Sequence, residues 1–128
     1  MNYAQESRRQ AELLKEKEHV RILAVETSCD ETAAAVVEDG RRILSSAVFT
    51  QIDLHALYGG VVPEIASRAH VELLTPVIAE AMVAGGVADD EVGAVAATYG
   101  PGLVGALLVG LSYAKALAWG LGVPFVAV

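Results

Sequence analysis

The sequence predicts an α/β fold in which a mixed sheet opens with three antiparallel strands and is flanked by helices. Hydrophobic residues make up 54% of the 128 positions, which is enough to fill the core of one domain. Three short strand-like segments follow one another between residues 21 and 50, and strand and helix patterns then alternate. Consecutive hairpin strands followed by strand–helix–strand units are typical of a mixed sheet with helices packed on it.

Residues 1–20 form a polar extension that we place outside the fold. They are almost all polar or charged and contain the alternating run Lys15-Glu16-Lys17-Glu18. This composition is compatible with a solvated helix or with a disordered tail, and the pattern leaves both open.

Abrupt changes of composition and period give the bounds of the predicted elements. Arg21 begins an apolar run, Asp39-Gly40 is a tight hairpin turn, and Pro63 suits the first position of a helix. Pro76 lies inside that helix and is expected to kink it or split it in two, with Thr75 as a second cap. The predicted elements are strands over 21–26, 33–38 and 42–50, a helix over 63–84 buried along Ile65, Ala69, Leu73, Val77 and Ala81, a strand over 94–98, a helix over 103–119 and a strand from residue 125.

The charge of the chain argues against a protein that binds nucleic acid over its whole surface. The formal net charge is −7 at pH 7 and the isoelectric point is near 4.8, so phosphate backbones are repelled. Any RNA contact is expected to be local or supplied by a partner protein.

A cytoplasmic protein is expected from the cysteine content and the polar start. Cys29 is the single cysteine, so no internal disulfide can form, and the first residues contain no apolar signal core. The stretch over 103–128 is apolar enough to raise the question of a membrane span. Lys115 near its middle and the helix breakers Gly120 and Pro124 argue against one, so no membrane contact is expected.

The first candidate site is a polar loop between two apolar strands, Glu26-Thr27-Ser28-Cys29-Asp30-Glu31-Thr32. Its hydroxyls and backbone amides suit a phosphate, and its carboxylates suit a metal or a metal-bound water. A solvated turn whose polar side chains cap their own backbone gives the same pattern. Spacing alone leaves both interpretations open.

The second candidate is Thr98-Tyr99-Gly100-Pro101-Gly102-Leu103, which joins a strand end to a helix N-terminus through a glycine turn. Backbone amides at a helix N-terminus favour anions, so a phosphate or carboxylate contact is one interpretation. An ordinary tight connection that needs glycine for its conformation is the other. The segment is neither a Walker loop nor a dinucleotide fingerprint.

The histidines and the cysteine are not expected to carry chemistry themselves. His55 and His70 lack the i, i+4 spacing of a metal pair on one helix face, so we expect roles at the surface or behind a site residue. Carboxylates beside Cys29 are expected to raise the pKa of its thiol, which disfavours a nucleophile.

Four longer segments carry a resemblance to a known family. They read ILAVETSCDET at 22–32, QIDLH at 51–55, YGGVVPEIASRAH at 58–70 and YGPGLVGALLVG at 99–110. In this order they closely resemble the bacterial tRNA N6-adenosine threonylcarbamoyltransferase family, TsaD. The resemblance spans residues 21–128.

The resemblance implies the fold of the actin-like ATPase superfamily, in which two α/β lobes face each other across a nucleotide cleft. Residues 21–128 are then the N-terminal lobe, truncated before the family's metal-binding His-x-x-x-His motif. The implied reaction transfers a threonylcarbamoyl group from threonylcarbamoyl-AMP to N6 of the adenosine next to the anticodon, in tRNAs that read codons beginning with A. The lobe alone is expected to be inactive.

The resemblance also implies roles for residues of both loops. Asp30 and Glu31 match the family's acidic pair and are the expected catalytic residues. The expected substrate contacts are Ser28, Gly100, Pro101 and Gly102. Iron or zinc is the family's metal, held by ligands that this sequence lacks. The implied partners are TsaB-like and TsaE-like proteins, with tRNA bound by the complex.

Two other functions stay open. One is a non-catalytic interaction module resembling TsaB, although a scaffold has little use for an acidic pair in the cleft. The other is a sugar or acetate kinase, or another ATPase of the same superfamily, whose usual Asp-x-Gly-Thr/Ser opening is replaced here by Glu26-Thr27-Ser28.

Overall fold

The computed structural model describes residues 2–128, so Met1 of the polar extension lies outside the described residues. The strands are β1 (Arg21–Glu26), β2 (Glu31–Glu38), β3 (Arg42–Thr50), β4 (Val92–Ala97) and β5 (Phe125–Ala127). They form one five-stranded sheet in the order β3-β2-β1-β4-β5. The pairs β1–β2 and β2–β3 are antiparallel, whereas β1–β4 and β4–β5 are parallel. The predicted mixed sheet, opening with three antiparallel strands, is confirmed.

The helices of the described chain are α1 (Tyr3–Leu14), α2 (Ile52–Ala56), α3 (Pro63–Gly85) and α4 (Val104–Leu121), with one 3-10 turn at Asp89–Glu91. Proline suits the first position of α3, where its missing N–H would have no helical partner. Gly86 ends α3 in the left-handed conformation, with φ of 64°.

Helices α3 and α4 cover one face of the sheet. A single apolar cluster joins that face to both helices and contains Leu23, Val25, Ala34, Val36 and Val95 from the strands, Leu74, Val77 and Ala81 from α3, and Ala114 and Ala118 from α4. Burying this apolar surface provides the main stabilisation of the fold.

The buried side of α3 differs from the predicted stripe in its first half. Ala66, His70 and Leu74 are buried, whereas Ile65 and Ala69 are only partly buried. The prediction followed apolar residues alone. A histidine takes a core position here because both of its ring nitrogens find hydrogen-bond partners.

The split of α3 predicted at Pro76 does not occur, since the helix is continuous from Pro63 to Gly85. Proline leaves the carbonyl of Glu72 without its helical donor. Both Pro76 and Glu72 are exposed, so water can satisfy that carbonyl. Thr75 does not cap a second helix, and its hydroxyl instead lies 3.0 Å from the Tyr113 hydroxyl of α4.

Helix α4 is long and apolar enough, by length and composition, to cross a membrane. In the fold its buried side is a row of small residues spaced by four, Ala106, Gly110, Ala114 and Ala118. Small side chains let the helix backbone lie close to the sheet and to the loop that follows β1.

The polar extension contributes α1, which lies against the outer edge of β5. The Ser7 hydroxyl accepts a hydrogen bond from the Phe125 N–H (2.9 Å) and donates one to the Phe125 carbonyl (3.2 Å). At its start, Tyr3 packs edge-on against Trp119, with ring centroids 5.3 Å apart. Ser7 therefore connects the extension to the edge strand β5, and Tyr3 connects it to α4.

Candidate active site

The two candidate loops meet at one edge of the sheet. The acidic loop, residues 26–32, runs from the last residue of β1 to the first two residues of β2, which begins at Glu31 and not at the predicted residue 33. The glycine loop, residues 98–103, follows β4. Strands β1 and β4 are parallel neighbours, so their carboxyl ends lie side by side. In open α/β sheets, ligands bind outside the carboxyl ends of such strands.

Glu26 connects the acidic loop to the glycine loop. Its carboxylate accepts hydrogen bonds from the backbone N–H of Ser28 and from the Thr98 hydroxyl, the latter at 2.9 Å. Burial opposes ionisation of this carboxyl, but hydrogen bonds from Ser28 and Thr98 outweigh it and lower the pKa of Glu26. The ionised Glu26 carboxylate therefore stabilises the contact between the two loops.

Ser28 and Gly102 pack directly against each other. A β-carbon added to Gly102 would lie 2.7 Å from the Cβ and from the carbonyl oxygen of Ser28, closer than atoms can approach. Beside this contact, the N–H of Leu103 donates to the Ser28 carbonyl at 2.8 Å. The predicted substrate contacts thus lie together, with Ser28 half-buried and Gly100, Pro101 and Gly102 exposed.

The carboxylates of Asp30 and Glu31 are not used in contacts within the site. Asp30 is half-buried and Glu31 is exposed, and neither side chain makes a hydrogen bond or ion pair within residues 2–128. The backbone carbonyl of Asp30 accepts from the N–H of Gln51 at 2.8 Å. The backbone of the loop is thus held while its two carboxylates remain available to other groups.

Thr27 is a site residue that spacing did not single out. Its buried hydroxyl donates to the Ala106 carbonyl of α4 at 2.7 Å and accepts from the Gly110 N–H at 3.0 Å. A β-carbon on Gly110 would lie 2.5 Å from that hydroxyl oxygen. Gly110 therefore faces the acidic loop.

A buried polar network lies behind the acidic loop and contains both histidines, which is the second of the two places expected for them. His70 is 0% exposed and His55 is 3% exposed. The Nε2 of His70 donates to the Cys29 carbonyl (2.9 Å), and its Nδ1 accepts from the Thr32 hydroxyl (2.8 Å). The spacing of His70 with Ala66 and Leu74, four residues on each side, was the available signal, because it matches the helical period of a buried stripe.

Gln51 links the two histidines. Its amide oxygen accepts from His55 Nε2 at 2.8 Å, and the other ring nitrogen of His55 accepts from the Val62 N–H at 3.2 Å. Each ring therefore uses one nitrogen as donor and one as acceptor, which is the pattern of a neutral imidazole. Burial lowers the pKa of His70, although the Cys29 carbonyl and the charges of Glu26 and Asp30 oppose the shift.

The free energy of unfolding should therefore decrease as the pH falls below the ordinary histidine pKa of 6.5. Between that value and the lower pKa of the folded state, the unfolded chain binds the proton and folded His70 does not, so acid favours unfolding. Urea titrations across this range measure the effect. His70→Gln keeps an amide donor but has no titrating ring, and it should lose this share of the pH dependence; identical pH profiles for both proteins would contradict the assignment.

Cys29 is not an activated thiol. Burial, and then the neighbouring charge of Asp30, raises the pKa of its thiol. The direction of this shift agrees with the expectation from the sequence, with burial as the larger cause.

Possible metal ligands within residues 2–128 converge away from the two loops. His19, Glu38 and Asp39 offer ligand atoms within 4.8 Å of one another. They lie at the opposite end of the sheet, where β1 begins and β2 ends. Glu38 is already paired with Arg21 at 3.2 Å and Arg42 at 3.8 Å, and these cations oppose a metal ion. The carboxylates of the acidic loop are not joined by other ligand groups there, so the site residues of this chain do not form a metal-binding set.

Comparison with known proteins identifies the family. The family model described as TsaD, tRNA N6-adenosine threonylcarbamoyltransferase, matches residues 42–128. A curated protein of that name from Syntrophobacter fumaroxidans is 67% identical over 107 residues, covering 84% of this chain and 32% of the relative. The corresponding proteins of Symbiobacterium thermophilum and Pelobacter propionicus are 64% and 63% identical over the same length. This chain spans about a third of the length of these relatives.

Solved structures agree on the fold. YeaZ from Pseudomonas aeruginosa, which has the actin-like fold, matches with a TM-score of 0.65 and 27% identity over 85% of this chain and 43% of its own. A protein described as similar to peptidase YEAZ, from the same organism, matches equally well. The expected superfamily is therefore confirmed. The match of the family model over most of the chain, together with relatives of 63–67% identity, shows that the chain belongs to the tRNA N6-adenosine threonylcarbamoyltransferase family.

Proposed function

We propose that residues 21–128 are the first lobe of an enzyme that modifies tRNA. The complete enzyme transfers the threonylcarbamoyl group of threonylcarbamoyl-AMP to N6 of the adenosine beside the anticodon, in tRNAs reading codons that begin with A. The observation that carries the proposal is the meeting of the acidic and glycine loops at the carboxyl ends of β1 and β4, in a chain of this family.

The two loops divide the chemistry of acyl transfer between them. The phosphate of the donor substrate would contact the exposed backbone of Gly100 and Gly102 and the half-buried Ser28. Asp30 and Glu31 carry carboxylates that can accept the proton released when the adenosine amine attacks the carbonyl carbon. In that step the new C–N bond forms, the bond from the carbonyl carbon to the phosphate oxygen breaks, and AMP leaves.

If the complete enzyme holds a metal ion, iron or zinc, we propose that its ligands are residues that this chain does not contain. The carboxylates of the acidic loop do not converge with other ligand groups. When bound by the complete enzyme, such an ion would polarise a carbonyl or phosphate oxygen of the substrate.

The isolated chain should not form product, because it spans about a third of the length of its relatives. A chimera supplies the rest: residues 21–128 replace the matching first third of the Syntrophobacter fumaroxidans protein. With threonylcarbamoyl-AMP, unmodified tRNA and the partner proteins of that enzyme, the chimera should produce threonylcarbamoyladenosine, detected by mass spectrometry of digested tRNA. Catalytic product formation by the isolated chain, or none by a folded chimera, would contradict the proposal.

A TsaB-like protein is the proposed partner of the α3–α4 face, within a complex that also includes a TsaE-like protein and binds the tRNA. Apolar side chains are exposed on this face, with Val71 at 66%, Val104 at 76% and Leu108 at 56%. The net charge of −7 is consistent with tRNA contacts supplied by the rest of the complex. We place this complex in the cytoplasm, where tRNA is modified, and away from any membrane.

Leu108→Glu should weaken binding of the TsaB-like partner by about 10–100-fold, because burying one leucine contributes about 1.5–3 kcal/mol. Isothermal titration calorimetry with the partner measures this change. Leu57→Glu is the control, since Leu57 is 80% exposed at the end of α2 and belongs to neither α3 nor α4. If a folded Leu108→Glu variant bound the partner with unchanged affinity, the interface would not include Leu108.

Sequence identity to known proteins favours an enzyme lobe over a TsaB-like module. The chain is 67% identical to a named transferase and 27% identical to YeaZ, a TsaB protein. Free carboxylates at Asp30 and Glu31 also favour chemistry over a scaffold role. The kinase alternative has no comparable support, because its usual opening motif is absent at Glu26-Thr27-Ser28.

A further inference from the structure

One buried ring contacts both ends of the acidic pair. The Nε2–H of His70 donates to the Cys29 carbonyl at 2.9 Å, directly before Asp30. Its Nδ1 accepts from the Thr32 hydroxyl at 2.8 Å, directly after Glu31. His70 and Thr32 are both 0% exposed, so the bond between them is buried, and the bond from His70 to the half-buried Cys29 is partly buried.

We infer that His70 is a positioning residue, which fixes the backbone on both sides of Asp30 and Glu31 and so sets the direction of their carboxylates. The inference rests on the proposed function, because it assigns the acidic pair to catalysis. His70 lies on the long helix α3, packed into the core, so the loop is held by a rigid element.

A third contact restrains the same segment from the side. The N–H of Gln51 donates to the Asp30 carbonyl at 2.8 Å, and the Gln51 side chain accepts from His55. Gln51 is 3% exposed, so this bond is also shielded from water. The backbone is thus bound at Cys29 and Asp30, and the Thr32 side chain is bound as well, while the side chains of Asp30 and Glu31 have no partner within residues 2–128.

Such an arrangement suits a catalytic pair better than a solvated turn. A turn stabilised by its own side chains would use the Asp30 carboxylate to cap local N–H groups. Here the capping is done by Glu26, whose carboxylate accepts from the Ser28 N–H. The rest of the loop is held by contacts with α3, with α4 and with the backbone N–H groups of Gln51 and Leu103. Acid–base groups need defined geometry, since a displacement of about 1 Å can cost about 10²-fold in rate.

The inference is tested first without reference to activity, on the 128-residue chain. Nitrogen-15 NMR of the ring should find the His70 proton on Nε2 at neutral pH. Thr32→Val keeps a branched side chain but removes the nearer of two donors to Nδ1, the other being the Gln51 amide at 3.4 Å. It should speed hydrogen exchange of the amides at 29–31 by about 10-fold, as for one lost buried hydrogen bond. Thr32→Ser keeps the hydroxyl and should show near wild-type exchange. A proton on Nδ1, or unchanged exchange in Thr32→Val, would overturn the inference.

The second test uses the chimera and asks whether the effect passes through the carboxylates. Thr32→Val should lower kcat by about 10-fold or more, while Thr32→Ser stays near the wild-type rate. In a background carrying Asp30→Asn and Glu31→Gln, Thr32→Val should cause no further loss, because there are no carboxylates left to position. An equal loss in both backgrounds would reduce His70 to a structural role. If the wild-type chimera is inactive, the proposed function fails, and the NMR and exchange results still decide the contacts of His70.

Discussion

Replacing Glu31 by glutamine in the chimera should lower kcat by about 10²–10⁴-fold, the usual loss when an acid–base group is removed. Glutamine keeps the size and hydrogen bonding of the side chain but removes its charge and basicity. Glu31 is exposed and has no partner within residues 2–128, so its charge has no structural contact to lose. Steady-state kinetics with saturating tRNA measure the change. Asp30→Asn should act in the same direction.

A solvated turn residue would behave differently. Its conversion to an amide would change the free energy of unfolding by no more than about 0.5 kcal/mol and leave the rate unchanged. Thermal melts beside the kinetics separate the two outcomes. Wild-type rates in both Asp30→Asn and Glu31→Gln would remove the acidic loop from the mechanism.

Gly110→Ala should destabilise the fold by about 1–3 kcal/mol, although alanine is the better helix former. The added β-carbon would lie 2.5 Å from the Thr27 hydroxyl oxygen, which sits between two backbone groups of α4. Either the hydroxyl or the helix must move, and two buried hydrogen bonds weaken. Urea denaturation of the 128-residue chain measures the loss.

Gly120→Ala provides a matched control in the same helix. A β-carbon at Gly120 meets no atom within 4 Å, so the substitution should stabilise the chain, by up to about 1 kcal/mol. The two glycines should therefore respond with opposite signs. A stabilising Gly110→Ala would contradict the close contact between Thr27 and α4.

The spacing of the apolar residues and the positions of the turn-forming glycines and prolines were sufficient to predict most of the fold. The bounds of β1 and β3 agree with the predicted ranges 21–26 and 42–50, because each strand starts and ends where composition changes sharply. At Pro76 the sequence left a kink and a split of the helix open, and the split does not occur, since the cost of a helical proline depends on exposure. Water can serve the freed carbonyl there, and exposure follows from tertiary packing.

The candidate site could be predicted only as two loops. Asp30, Glu31 and the glycine turn are visible as motifs, but the contacts that organise them come from distant positions. Thr27 meets Gly110 of α4, and His70 of α3 meets Cys29, and no local pattern pairs such residues. A buried histidine in an otherwise apolar stripe was the one local signal. It was passed over because hydropathy counts histidine as polar whether or not its nitrogens are bonded.

A crystal structure of the chimera with a stable analogue of threonylcarbamoyl-AMP would show directly whether this lobe contacts the substrate. The analogue should lie across the acidic and glycine loops, with its phosphate against the backbone of Gly100–Gly102. A carboxylate oxygen of Asp30 or Glu31 should lie about 3 Å from the position of the attacking amine, or reach it through one water. An analogue bound with neither loop in contact would contradict the claim that this lobe contributes the acidic half of the active site.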